Sequence, residues 1–334
     1  MKSITSYLSI IVLIFALSMG FGCDNAQKRQ AAESSNTAKR VNISIGTAPT
    51  GGAFFVVGGA IAAVVADNTS EAGWEVTAES TKGTQENIRR LANGELEFAL
   101  ANAAISYFAV RGEGAWKTEH PIRSVMTLAP NVGLFITSQS SGIRKIQDFA
   151  GKRIVVGPAG AGFEYFLEPI LSAHGITYED FSPLNSHYTG AVGLLADGAA
   201  AAAFMGGAIP TPAVTQAVTS QDIFFIPFDE TAKQSLFEKY PFFNAITIPA
   251  GAYDGQTEPF ESMNVGSMHL ITAETVDENT VYEFTKTLYT HRAAVVKIHK
   301  AGRAINPTNI VKNVGTPFHP GAIRFYQEIG IWNE

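Results

Sequence analysis

Residues 41–66, VNISIGTAPTGGAFFVVGGAIAAVVA, decide the fold. Val41 to Ile45 alternates apolar and polar side chains, the period of a half-buried strand. The stretch Gly46-Thr47-Ala48-Pro49-Thr50-Gly51-Gly52 then opens an apolar helix from Ala53 to Ala66. A strand, a glycine-rich turn and a helix in that order form the repeating unit of α/β proteins.

The same alternation continues outward. Strands are predicted at Trp74–Ala78, Glu97–Ala101, Arg153–Val156 and, as a buried apolar run, Ala199–Met205. Helices are predicted at Thr84–Asn93 with Gly94 as its stop, around Lys145, and from about Gly162 to His174. Arg123–Thr137 reads as one long strand or as two broken at Pro130–Gly133, and Met263–Thr272 (MNVGSMHLIT) is again strand-like. The pattern predicts open, mostly parallel sheets with helices on both faces. Two lobes follow if the chain crosses near Asn131–Gly133 and returns near Met263: one from 41 to 130 plus 264 to 334, the other from 134 to 262. A second glycine-rich turn, Gly157-Pro158-Ala159-Gly160-Ala161-Gly162, also joins a strand to a helix. Glycine lets a backbone approach a ligand, and amides at a helix start attract negative charge. One such turn in each lobe suggests a cleft pinched from both sides.

The N-terminus is a targeting signal. Lys2 precedes an uninterrupted apolar stretch, Leu8–Met19, followed by small residues, as in a signal peptide spanning 1–22. No later segment is read as apolar enough to cross a bilayer. Cys23 is the sole cysteine and can make no internal disulfide. MGFGC (19–23) resembles a bacterial lipoprotein cleavage box, although Gly20 stands where an aliphatic residue is usual. Gly20 and Gly22 also suit ordinary signal peptidase. Lipidation of Cys23 is the favoured reading because nothing else accounts for the residue. Residues 23–40 are polar, lack any large apolar side chain, and read as a flexible tether.

Several function classes are excluded or weakened. The formal charge is −6 with Lys and Arg dispersed, which argues against nucleic acid as a partner. The second loop has Tyr165 in place of the last glycine of a dinucleotide fingerprint, and neither loop ends in Gly-Lys-Ser/Thr. The seven histidines are scattered, with no HExxH and no second cysteine for a metal, and no G-x-S-x-G is present.

GTAPTGGAFFVVGGAIA (46–62) followed by TAESTKGTQENIRRLANGELEFALANAAISY (77–107) resembles the TAXI family of solute receptors that serve TRAP transporters. The likeness runs on through DFAGKRIVVGPAGAG (148–162), AFMGGAIPTPAV (203–214), YPFFNAITIPAGAYDGQ (240–256), VYEFTKTLY (281–289) and HPGAIRFYQEIG (319–330). The resemblance implies a two-lobed periplasmic-binding-protein fold, type II-like, closing on a small organic anion. It also implies delivery to a membrane-embedded TRAP permease from the periplasm or the outer face of the membrane. No cofactor and no catalysis are implied.

Carried over residue by residue, the ligand-binding set is Thr47, Thr50, Gly51, Gly52 and Phe54 in the first loop, then Ser80, Thr81, Gln85 and Asn102. The position of Asn131 belongs to it. In the other lobe it is Gly160, Ala161, Gly162 and Phe163, with Gly206 and Gly207 behind them. This chain departs from the family where Ala48 and Pro49 replace glycines, Phe54 and Phe55 replace tyrosines, and Ala103 and Ala104 stand where Ser-Asp is common. Ala129, Asn131, Ala161 and Phe163 likewise replace more polar residues. Either these positions only pack, or the pocket is more apolar than the family's glutamate-type sites. An enzyme of similar architecture, and an envelope sensor or surface antigen without a transporter, are the rival readings.

Overall fold

The computed structural model describes residues 41–332. The signal segment 1–22, the tether 23–40 and Cys23 lie outside the described residues.

The alternation of the sequence becomes two five-stranded sheets. The first is built from β1 (Val41–Gly46), β2 (Trp74–Glu79), β3 (Phe98–Asn102) and β4 (Ile122–Thr127), joined by helices α1 (Ala53–Thr69), α2 (Thr84–Ala92) and α3 (Ala103–Ala109). The second contains β5 (Phe135–Ser138), β6 (Arg153–Val155), β7 (Ser182–Leu184), β8 (Ala202–Phe204) and β9 (Ile223–Ile226). Its helices are α4 (Glu164–Ala173), α5 (Tyr188–Ala196), α6 (Pro212–Ser220) and α7 (Glu230–Lys239). A ribbon of β10 (Phe243–Ile248) and β11 (Phe260–Val265) follows, and β12 (Met268–Ala273) returns to the first sheet. The chain ends with α8 (Glu278–Thr290), α9 (Arg292–Ile298) and α10 (Pro320–Glu328).

The strand orders are β2-β1-β3-β12-β4 and β7-β6-β8-β5-β9. In each sheet only the fourth strand runs against the rest: β12 is antiparallel to β3 and β4, and β5 to β8 and β9. Both are the first strand after the chain crosses from the other sheet, so they enter from the shared side. Direction is set by the crossing, which residue periodicity does not record.

The two crossings lie side by side. Leu128 N–H donates to Met268 O (2.8 Å), Val265 N–H to Asn131 O (2.8 Å) and Gly133 N–H to Met263 O (2.9 Å). Arg123–Thr137 is therefore two strands with the crossing between them. Met263–Thr272 is also two strands, broken at Gly266, whose φ of +106° is open to glycine and strained for other residues. The helix expected around Lys145 is a short 3₁₀ turn, Ile146–Phe149, because the Asp148 carboxylate accepts the Arg144 and Lys145 N–H groups and closes the chain early.

Helix α1, with the turn after it to Ala72, is long and apolar enough by composition to cross a membrane, contrary to the sequence reading. Here it is the core helix of the first lobe: Val57, Ile61, Val64 and Val65 are buried with Ile43, Phe98, Leu270 and Phe284. Phe98 and Phe284 stack at 4.0 Å, fastening the C-terminal helices to this sheet.

Candidate ligand cleft between the sheets

Open α/β sheets bind ligands outside the carboxyl ends of their strands. Segments following the carboxyl ends of several strands surround an enclosed cavity of about 50 Å³. The first sheet contributes Ala48, Pro49 and Gly52 after β1, Lys82, Gly83 and Thr84 after β2, and Asn102 at the end of β3. The second contributes Pro158 and Phe163 after β6, Tyr188 after β7 and Gly206 after β8. Asn131, on the first crossing, completes the wall.

Helices begin where these strands end, so several N-termini meet here. The first turn of a helix has N–H groups with no intrahelical acceptor, and its end carries partial positive charge. The N-cap residues of α1, α2 and α4 are Gly52, Gly83 and Phe163, and none offers a side-chain cap. By contrast α3 is capped by Asn102, whose Oδ1 accepts from Ala104 N–H at 2.8 Å.

The polar side chains divide by how committed they are. Asn102 Nδ2 donates to Val265 O (3.1 Å) and Gly266 O (3.0 Å), so it straps the return crossing as well as capping α3. Thr84 Oγ1 accepts from Asn102 N–H at 2.9 Å. Tyr188 donates to Gly206 O at 2.7 Å, and burial holds its phenol well above the ordinary range, so it stays neutral. Asn131 differs: only 5% exposed, its Oδ1 has no hydrogen-bond partner. Its backbone is fully used, N–H to Asn264 Oδ1 (3.0 Å) and O from Val265 N–H. Lys82 is the only charged residue on the wall; it is exposed and makes no ion pair among the described residues. The remaining surface is apolar: Pro49, Phe54, Pro158, Phe163 and Phe166.

Of the residues singled out in the sequence, Gly52, Phe54, Asn102, Asn131, Phe163 and Gly206 lie on this wall. Thr47 and Thr81 are buried inside the loops instead, and Gln85 in the first turn of α2. Thr47 Oγ1 donates to Glu79 O (2.7 Å), Thr81 Oγ1 accepts from Gly83 N–H (3.1 Å), and Gln85 N–H donates to Ala161 O (3.2 Å). Gly51 and Gly162 are interlobe contacts: a side chain at Gly51 would strike Thr189, and one at Gly162 would meet Ile105 and Gln85. Ala161 packs against Gly83 in the same seam. Gly207 exchanges two backbone hydrogen bonds with Val132 (2.8 and 3.0 Å) behind the cavity. Thr50, Ser80 and Gly160 are exposed and off the wall. Lys82, Thr84, Pro158, Phe166 and Tyr188 were missed. Lys82 sits inside the TAESTKGTQEN segment, yet neither it nor Tyr188 carries a local signal that would place it on the wall.

The lobes meet around the cavity. Ala213 N–H donates to Gly51 O (3.0 Å), and Phe108 packs against Tyr165 and Phe242 with ring centroids 5.5 and 5.9 Å apart. One buried apolar cluster includes residues of both lobes, among them Ile105, Tyr165 and Phe166. The cleft is closed.

Two sheets of this order, crossed twice and closed over a shared cavity, define the two-lobed fold of the periplasmic binding proteins. Solved structures agree on the fold. The binding component of an ABC phosphonate transporter from Pseudomonas aeruginosa is 11% identical with a TM-score of 0.55, covering 79% of each chain. A protein from Bordetella bronchiseptica is 14% identical with a TM-score of 0.54, covering 86% of this chain and 89% of its own. The alkanesulfonate-binding protein of Xanthomonas axonopodis pv. citri is 14% identical, covering 86% and 90%, with a TM-score of 0.47. At such identities the first two likenesses speak for the fold alone, and the third carries no weight. The chain belongs to the NMT1-like family, which it matches over residues 45–330.

Proposed function

We propose that this protein is an extracytoplasmic solute-binding receptor that captures a small organic acid and hands it to a membrane permease. The supporting observation is the cavity itself, where three helix N-termini without side-chain caps and one cation meet and no carboxylate lines the wall. The protein binds and releases its ligand unchanged. The moving bodies are residues 41–130 with 264–334, and 134–262, hinged at the paired crossings. The transporter-associated proteins among the structural neighbours serve ABC systems. The ordered motifs from Gly46 to Gly330 resemble TAXI receptors instead, and on them the partner is a TRAP permease. The N-terminal signal places the protein in the periplasm, and acylation of Cys23 holds it at the membrane.

Mass spectrometry of small molecules released from the purified native protein tests the receptor reading. An organic acid in near-stoichiometric amount is expected. A protein that releases none, and turns over an added acid, is an enzyme. The anchor is tested separately: Cys23→Ala should move the protein from the membrane to the soluble envelope fraction, and absence of fatty-acid labelling in the wild type would exclude lipidation.

A further inference from the structure

The charge, size and polarity of the cavity specify more than an organic acid. Lys82 is the only charged side chain on the wall, and it has no ion pair among the described residues. Lys82 is the one full cation, so one carboxylate gains a full ion pair, while the N-termini of α1, α2 and α4 add only partial positive charge. A second carboxylate would find no second cation among Phe54, Phe163 and Phe166, and a charge without a full counter-ion in an apolar site is disfavoured. Asn131 adds an independent requirement. The residue is 5% exposed, lies on the wall and leaves Oδ1 without a partner, so a bound molecule that brings a polar group there gains a hydrogen bond. The amide oxygen accepts from a hydroxyl, and with the amide turned end for end its Nδ2 donates to a carbonyl oxygen. The volume then limits the body. A water needs roughly 10–15 Å³, so about 50 Å³ holds only about three to five water-sized groups and favours a small acid.

Resting on the receptor reading, we propose that the ligand is a short monocarboxylate carrying a hydroxyl or oxo group, with Lys82 as its counter-ion and Asn131 as the partner of its polar substituent. A site that hydrogen-bonds a substituent discriminates against the analogue lacking it, because its own buried group is left unpaired.

Titration calorimetry on the wild-type protein, stripped of co-purifying small molecules, tests this with lactate, pyruvate, propionate, glutamate, 2-oxoglutarate and neutral lactamide. Lactate or pyruvate should bind at least about tenfold more tightly than propionate and the dicarboxylates, and lactamide should give no heat. Lys82→Gln, at an exposed position, should leave the melting temperature unchanged and weaken lactate or pyruvate at least about tenfold. Asn131→Leu should abolish the preference over propionate. Tightest binding by glutamate or 2-oxoglutarate, or an unaltered affinity in Lys82→Gln, overturns the proposal while the receptor reading stands. No heat from any of these acids, with a different molecule released by the native protein, also overturns it. If nothing is released and nothing binds, both readings fall.

Discussion

The two glycine-rich loops look alike in sequence and work differently. In the loop after β1, Gly52 has ordinary extended backbone (φ −93°), and a side chain there would make only ordinary contacts, 3.6 Å and beyond. Its glycine leaves the start of α1 uncapped and facing the cavity. In the loop after β6, Gly157, Gly160 and Gly162 all have φ between +75° and +99°. There a side chain on Gly157 would collide with the Phe163 ring, and one on Gly162 would meet Ile105 and Gln85 of the facing lobe. In the first loop Gly52 leaves a helix start bare while Gly51 serves the turn and the seam; in the second loop all three glycines serve the turn or the seam. Glycine content identifies the motif without saying which of these it serves.

Substitutions separate the two roles. Gly162→Ala and Gly162→Asp should be about equally harmful, lowering stability by about 1–2 kcal/mol through the left-handed backbone. Both should weaken ligand binding by about 100-fold, since any side chain there stands between the closing lobes. If only the Asp variant fails in calorimetry, the second loop also acts through charge and the contrast collapses.

The scaffolds behind the loops differ in acid sensitivity. His269 on β12 is fully buried, with Nε2 against Ser106 Oγ at 2.9 Å, and burial pushes it down to about 3. His174 in the second lobe is lowered too, by burial, while its contact with the Ile170 carbonyl opposes the shift. A histidine depressed on folding contributes full stability above its unfolded value of about 6.5, lost progressively as pH falls toward the folded value. Between pH 7 and pH 5 the His269 contribution should fall by about 2 kcal/mol. Denaturant titrations across that range should show a flatter pH dependence for His269→Gln than for the wild type; identical slopes would put the acid sensitivity elsewhere.

In the first loop the pattern reverses. Gly52→Ala should bind normally, whereas Gly52→Asp should weaken ligand by about tenfold, since its carboxylate takes the place of the anion at α1. The same Asp caps the helix, so the stability should hold or rise by about a few tenths of a kcal/mol. Equal behaviour of Ala and Asp would mean that the end of α1 takes no part in binding. The smallest effect belongs to Gly160→Ala. Nothing lies within 4 Å of the added carbon, so only the backbone strain at φ +75° remains, about 1 kcal/mol, with affinity unchanged.

Much of the fold was legible because each strand, turn and helix carries its own local period, from Val41 onward. The reversed directions of β5 and β12 were not, since they depend on where the chain crosses. The same boundary divides the candidate site. Gly52, Phe54 and Phe163 were found because they flank helix starts that glycine makes visible. Asn102 was found with its wider role hidden: its hydrogen-bond partners Val265 and Gly266 lie 163 and 164 residues away. Lys82 and Tyr188 reach the wall only because β2 and β7 end beside β1 and β6, a fact of sheet order.

On the proposed function, the two lobes close on a ligand held between their carboxyl-end loops. Small-angle X-ray scattering on the protein stripped of small molecules, and again with a saturating amount of the acid that mass spectrometry identifies, tests it most directly. The account predicts a radius of gyration that falls on adding the acid, and no such fall in Gly162→Asp. An unchanged profile for the wild type, with saturation proven by calorimetry, would contradict it.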